Sequence, residues 1–212
     1  MRNVLADLAL ESEAATALAM RLAGAYDAAA AGGAPAEAFK RLSTAVGKYW
    51  LCKRVPAHAA EALECLGGNG YVEASGMPRL YREAPLASIW EGSGNVMCLD
   101  VLRALAGRPD SVEVFLAEVD AAAGAERRLD AFAARLRREL ARPEELESRA
   151  RLIVEHLALA LQAALLVRHC PPAVADAFCA SRLAGEAGRE YGTLPPGTDF
   201  AAIIERHHPL PV

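Results

Sequence analysis

Residues 34–71 read APAEAFKRLSTAVGKYWLCKRVPAHAAEALECLGGNGY. Phe39, Leu42, Val46, Tyr49 and Trp50 recur at three- and four-residue intervals, which puts them on one face of a helix. Pro35 suits the first turn, where no backbone N–H is needed, and the helical run continues to Leu66 before Gly67 and Gly68 stop it. Pro56 falls inside the run; lacking a donor, it is expected to kink or divide the helix unless the freed carbonyl finds another partner.

The same periodicity continues on both sides. Upstream, Val4, Leu5, Leu8, Ala15, Leu18, Leu22 and Tyr26 give a helix over about residues 3–31 that ends at Gly32 and Gly33. Met1-Arg2-Asn3 runs into that pattern without a capping signal, so the reading expects a chain entered mid-helix, with sequence preceding it. Downstream, residues 67–78 are dense in turn formers, and Arg79 to Glu83 reads as a short extended run. A further helix carries Val96, Leu99, Leu102 and Leu105 to Gly107.

Beyond Pro109 the helices become more charged, with Val112, Phe115, Val119, Leu129, Phe132, Leu136 and Leu140 marking an amphipathic helix or helix pair. A boundary is placed there, dividing residues 1–108 from 109–212. Pro143 is expected to open the next helix, through Leu152, Ile153, Leu157, Leu161 and Leu165, apolar nearly all round and therefore buried. Pro171-Pro172 starts a last helix through Phe178, Arg182 and Arg189, and the stretch from Gly192 through His207-His208 reads as a turn and a mobile end.

Composition agrees with an all-α fold: hydrophobic residues make up 53%, much of it alanine, and aromatics only 6%. A net charge of -4 excludes a globally basic nucleic-acid binder while leaving room for a local basic face. Cys52, Cys65, Cys98, Cys170 and Cys179 form no CxxC pair or zinc spacing and read as reduced core thiols; His58, His156, His169, His207 and His208 lack metal spacing as well, so no metal site is expected. The longest apolar stretch, near Leu157 to Val167, reads as too short for a bilayer, and the expected setting is soluble and cytoplasmic.

Two constellations carry chemistry. Leu66-Gly67-Gly68-Asn69-Gly70-Tyr71 reads either as a helix C-terminus or as a backbone that lets a nucleotide approach closely, although it matches neither the Walker nor the dinucleotide spacing. Trp90-Glu91-Gly92-Ser93-Gly94-Asn95 reads either as a loop whose Ser93 or Asn95 caps the next helix, or as a site where open amides take an anionic group and Glu91, in an apolar pocket, abstracts a proton.

In order and spacing, Glu64 to Tyr71, Arg79 to Glu83 and Ile89 to Ser93 together resemble the C-terminal signature of acyl-CoA dehydrogenases, and the variants from Met77 to Pro85 and from Trp90 to Arg103 look most like the AidB-like branch, linked to the bacterial adaptive response to DNA alkylation. The resemblance is strongest over residues 1–106. It implies a C-terminal helical bundle lacking its first helix, followed by an extra helical tail. In the intact parent it implies FAD bound between subunits of a homotetramer. Glu64, Cys65, Leu66, Gly67 and Gly68 would contact FAD across an interface, and Trp90, Gly92, Ser93, Gly94 and Asn95 would stand at the cofactor; Glu64 occupies a place where glutamine is common. Glu91 matches a catalytic base that removes the α-proton of an acyl-CoA thioester while a β-hydride leaves for the flavin.

The branch is associated with double-stranded DNA, which implies a role for Arg103, Arg135, Arg137, Arg138, Arg182 and Arg189 in sequence-independent phosphate contact. Basic charge concentrates at Arg127, Arg128, Arg135, Arg137, Arg138 and Arg142, and the same stretch also suits a solvated helix face, since Glu126, Asp130, Glu139, Glu144, Glu145 and Glu147 lie among or just after these arginines. The alternatives are a DNA-binding or protective module with mainly structural flavin, and a helical oligomerisation element. The chain alone is expected to be inactive as a dehydrogenase.

Overall fold

The computed structural model describes residues 1–142 and 144–208; Pro143, expected to open a helix, and the last four residues lie outside them. Among the described residues the chain is helical with no strand. Helices α1 (Arg2–Ala30) and α2 (Ala34–Glu64) form a hairpin closed by a three-residue turn. Pro56 does not divide α2. The second half of α2 holds no fully buried residue, so a carbonyl that loses its donor there is not stranded in an apolar interior.

Short elements follow: α3 (Gly68–Tyr71), a 3-10 turn (Glu73–Ser75), α4 (Met77–Glu83) and a second 3-10 turn (Ala84–Ser88). Residues 79–83 are thus helical, not extended. Gly76 reverses the chain in a left-handed conformation, Pro78 sits in the first turn of α4, and Arg79 pairs with Glu83 one turn on. Helix α5 (Gly94–Gly107) passes through Arg108 into α6 (Pro109–Asp120), and then α7 (Arg127–Leu140) begins with Glu126 accepting from the Arg128 backbone N–H at 2.9 Å.

Helix α8 (Leu146–His169) is the axis of the fold, packing against α1, α2, α5, α6 and α7. Leu157 to Leu166 is buried without a break, as its all-round apolar character requires. The helix is long and apolar enough by composition to cross a membrane, contrary to the sequence estimate, but most of that window lies inside the protein, where it serves as the core. One apolar cluster joins Leu10, Leu42 and Val101 to Phe115, Leu161 and Phe178, so the core runs through the break at Arg108.

Helix α9 (Pro172–Phe178) widens into a π turn (Cys179–Leu183) and stops, leaving Arg189 beyond it. The following segment is not a loose end. Leu194 and Ile203 are buried, and α10 (Phe200–Glu205), capped by Asp199, packs on α1. Asn3 exchanges two 3.1 Å hydrogen bonds with the Leu194 backbone, and Arg206 pairs with Glu13. The sequence reading missed this strap because its anchors lie on α1, some 190 residues away.

Candidate functional site

Gly67 to Gly70 form the turn that closes α2, and the three glycines differ in why they are glycine. Gly67 has φ +59, the left-handed region. At Gly70 an added Cβ would fall 2.0 Å from the Leu63 carbonyl oxygen, so close packing against α2 excludes any side chain. Gly68 has neither constraint: its φ is unremarkable and a Cβ would meet nothing within 4 Å. Beside the turn opens a cleft of about 630 Å³, whose walls include Leu63, Glu64, Gly67, Tyr71, Tyr81 and Arg82.

Large apolar side chains on the surface concentrate in this part of the chain. Leu66, Tyr71, Val72, Leu80, Tyr81 and Trp90 are all about half exposed or more, Tyr71 reaching 81%. A clustered apolar surface of this kind marks a place where something else packs.

The second constellation forms a tight turn before α5. Glu91 (φ +50) and Gly92 (φ +113) are both left-handed. A Cβ on Gly92 would meet the Met97 Cε at 2.4 Å. Lys48, on α2, donates from Nζ to the Ala87 carbonyl at 2.6 Å and to the Gly92 carbonyl at 3.2 Å. Nothing in the sequence reading marked Lys48, because its partners are backbone oxygens that leave no trace in residue type.

Two expectations are corrected here. Glu91 is exposed, with no apolar pocket around it in this chain; it borders a separate cleft of about 430 Å³ with Tyr26, Lys40, Arg41, Lys48 and Asp100. Neither Ser93 nor Asn95 caps α5. Ser93 stands extended at the N-cap without a side-chain bond, and the Asn95 Oδ1 accepts instead from Arg151 Nε at 3.4 Å. The first amides of α5 therefore keep no side-chain partner at the cap. Beneath them Cys98 is fully buried, its thiol pushed up to about 11 by burial. Cys179 is also buried, whereas Cys52, Cys65 and Cys170 are only half-buried, so the core-thiol reading applies to two of the five.

The six arginines expected on one basic face do not share it. Arg182 is held by Asp7 and Glu11, both buried, and points inward. Arg137 puts one nitrogen 2.6 Å from each oxygen of Asp120. Arg135 lies over the Phe132 ring and 3.5 Å from His156, whose pKa is lowered by burial and by that guanidinium. Arg103, Arg138 and Arg189 are exposed and make no salt bridge among the described residues. No group of His, Cys, Asp and Glu suited to a metal occurs among the described residues.

Around Arg182 a polar network was missed, although Asn3, Asp7 and Glu11 recur every four residues on α1. Asp7 accepts from Arg182 and from the Gly192 N–H at 2.9 Å. Glu11 accepts from Arg54 at 2.9 Å, and Arg54 donates to the Tyr191 hydroxyl at 3.0 Å. Burial pushes the Glu11 carboxyl up, but Arg54 and Arg182 outweigh it and hold it below the usual carboxylate range.

Residues 1–106 match the family described as acyl-CoA dehydrogenase, C-terminal domain. The chain belongs to the acyl-CoA dehydrogenase family. It is 44% identical over 182 residues, 84% of its length, to the putative acyl-CoA dehydrogenase AidB of Escherichia coli, and 43% identical over 75 residues, 35% of its length, to acyl-CoA dehydrogenase family member 11 of Caenorhabditis elegans. Those alignments take in 32% and 12% of the two relatives, so the chain spans about a third or less of their lengths. Among solved structures, Caenorhabditis elegans ACDH-11 in complex with C11-CoA superposes with a TM-score of 0.74 at 25% identity, covering 82% of this chain and 34% of that one. The apo form of Bd2924 superposes at 0.67 and 29% identity, covering 75% of this chain and 31% of that one.

Proposed function

We propose that the chain supplies the C-terminal part of the cofactor and substrate site of a flavin-dependent, AidB-like acyl-CoA dehydrogenase homologue. The observation that carries this reading is Gly68, a glycine with no internal reason to be one, next to an exposed apolar surface. A bare backbone there lets a cofactor lie against the turn. The open amides at the start of α5 suit a phosphate or other electron-rich group. Glu64, when ionised, accepts hydrogen bonds but offers none, so its contact with FAD would differ from that of a glutamine.

FAD, when bound, supplies the acceptor for a hydride leaving the substrate β-carbon. The contribution of this chain is to present the Glu91 carboxylate as the base for the α-proton of the acyl thioester. Because Glu91 and Trp90 are open to solvent, water exclusion must come from outside these residues, and acyl-CoA turnover by the isolated 212-residue chain is expected to be undetectable.

The test joins the part of the Escherichia coli relative that precedes the aligned region to this chain and measures flavin retained through purification. A Gly68→Val variant, whose Cβ would meet nothing within 4 Å, should lose flavin while keeping its helical circular dichroism. Equal retention by both proteins would sink the assignment.

A second reading, duplex DNA binding by the helical surface of α5 and the tail, is favoured by Arg103 and Arg138, exposed and without a salt bridge among the described residues, and by the likeness to AidB across most of the chain. Binding would be independent of sequence and steeply salt-dependent. Arg103→Gln with Arg138→Gln should flatten the salt dependence measured on a random duplex; a slope unchanged from the parent would refute it.

A further inference from the structure

We infer that Lys48 is a positioning residue for Glu91, tying the turn that carries this carboxylate to α2. The inference rests on the proposed role of Glu91 and deepens it. Lys48 is half-buried, and its ammonium bridges the two ends of the turn: the Ala87 carbonyl at 2.6 Å before it and the Gly92 carbonyl at 3.2 Å after it. Upstream, the Ile89 and Trp90 amides both return to the Leu86 carbonyl, at 2.9 and 3.2 Å. At Glu91 and Gly92, among the described residues, the bond from Lys48 is the sole side-chain tether.

A tether is needed because the conformation is unfavourable. Glu91 has φ +50, where a side chain crowds its own backbone, and such a residue persists when its surroundings over-determine it. The Met97 side chain packs against Gly92 from the α5 side, its Cε 2.4 Å from where a Cβ would stand, while Lys48 holds from the α2 side. The turn is thus gripped from two helices at the residue that follows the carboxylate.

The charges in the adjoining cleft support a specific relation. Lys40 pairs with Glu37 at 2.6 Å, and Arg41 makes a two-pronged bond to Asp100 at 2.8 and 2.9 Å. The two charged groups of this cleft left without an ion-pair partner among the described residues are Lys48 and Glu91. An ammonium on a flexible stem has three donors, enough to hold both carbonyls.

The experiment compares the 212-residue chain with Lys48→Met and Lys48→Arg, using hydrogen exchange by mass spectrometry and the two indole N–H signals in nitrogen-15 NMR. In Lys48→Met the amides of residues 86–93 should exchange about tenfold faster or more while α1 and α8 stay protected. The Trp90 indole signal should sharpen and move, with the Trp50 signal, bonded to Gln162 at 3.0 Å, unchanged. Lys48→Arg, which keeps the charge and offers a fork of donors, should restore most of both. Unaltered exchange at 86–93, a rise spread evenly over every helix, or equal behaviour of the Met and Arg variants would overturn the inference. Should Lys48→Met not fold, Lys48→Gln carries the same comparison. Neither readout uses flavin, so failure of the Gly68 test and failure of this one are distinguishable.

Discussion

The turn region from Gly67 to Asn95 and the strap from Arg182 to Arg206 treat their unfavourable groups in opposite ways. The turn region leaves aromatic side chains in water, holds Glu91 left-handed and keeps a glycine at position 68 without internal cause. The strap meets most of its needs internally: Asp7, Glu11, Arg54, Arg182 and Tyr191 bond to one another, leaving the buried Arg182 Nε without a partner among the described residues, and Asn3 answers Leu194 in both directions. A region whose needs are met inside the chain is architecture, whereas one whose needs are unmet is shaped for contact with something else.

The largest effect should come from breaking the strap. Among the described residues, Arg182→Met leaves Asp7, 1% exposed, with the Gly192 amide alone as its side-chain partner, and removal of one member of a buried ion pair costs about 3 kcal/mol or more. Urea unfolding is expected to show that loss together with early exchange of residues 185–206. A change under about 0.5 kcal/mol, the scale of an ordinary surface substitution, would erase the contrast between the two regions.

Within the turn the glycines sharpen the comparison. Gly70→Ala forces a Cβ against the Leu63 carbonyl and should cost about 2 kcal/mol by overpacking, whereas Gly68→Ala should stay within about 1 kcal/mol of the parent, since alanine has room and better helix propensity. Equal costs in thermal unfolding would show that Gly68 too is held by the fold.

Acid should loosen the strap before the turn, whose depressed carboxyl, Glu73, is held low by Arg82 in a solvent-exposed and therefore weak pair. The Glu11 carboxyl is depressed in the folded state, as is that of Glu13, where hydrogen bonds led by Arg206 overcome burial. Depressed carboxylates contribute stability that is present above the unfolded-state pKa of about 4.3 and is lost as pH falls through the lower folded values. Exchange measured from pH 6 down to about pH 3 should therefore rise first over residues 185–206; a strap indifferent to acid would remove the ion pairs from its explanation.

How far sequence could read the fold depended on the range of the interaction. Helices α1, α2, α5 and α8 were legible from apolar periodicity, because each buries one stripe or, in the second half of α8, its whole circumference. Residues 79–83 were misread as extended because the left-handed reversal at Gly76 and the Arg79–Glu83 pair outweigh the weak local pattern. The strap was invisible since its partners lie at the other end of the chain. Arg182 looked like part of a basic face for the same reason: charge alone does not say which way a side chain points. At the site, the two glycine-bearing segments were legible as motifs, while Lys48, which binds only carbonyls, was not.

The smallest expected effect is the most pointed. A non-glycine residue in the left-handed region carries about 1–2 kcal/mol of steric cost, and glycine removes it while adding about 0.5–1 kcal/mol of backbone entropy to the unfolded chain. Glu91→Gly should accordingly raise stability slightly, by up to about 1 kcal/mol, although it deletes a charged side chain facing a cleft with three cations. Differential scanning calorimetry decides the matter. A raised Tm would mean that glutamate stands at position 91 at a cost to the fold, as expected of a residue retained for contact with a ligand. A clear drop would place the Glu91 carboxylate among the groups that hold the chain together, and the turn would then belong on the same side of the comparison as the strap.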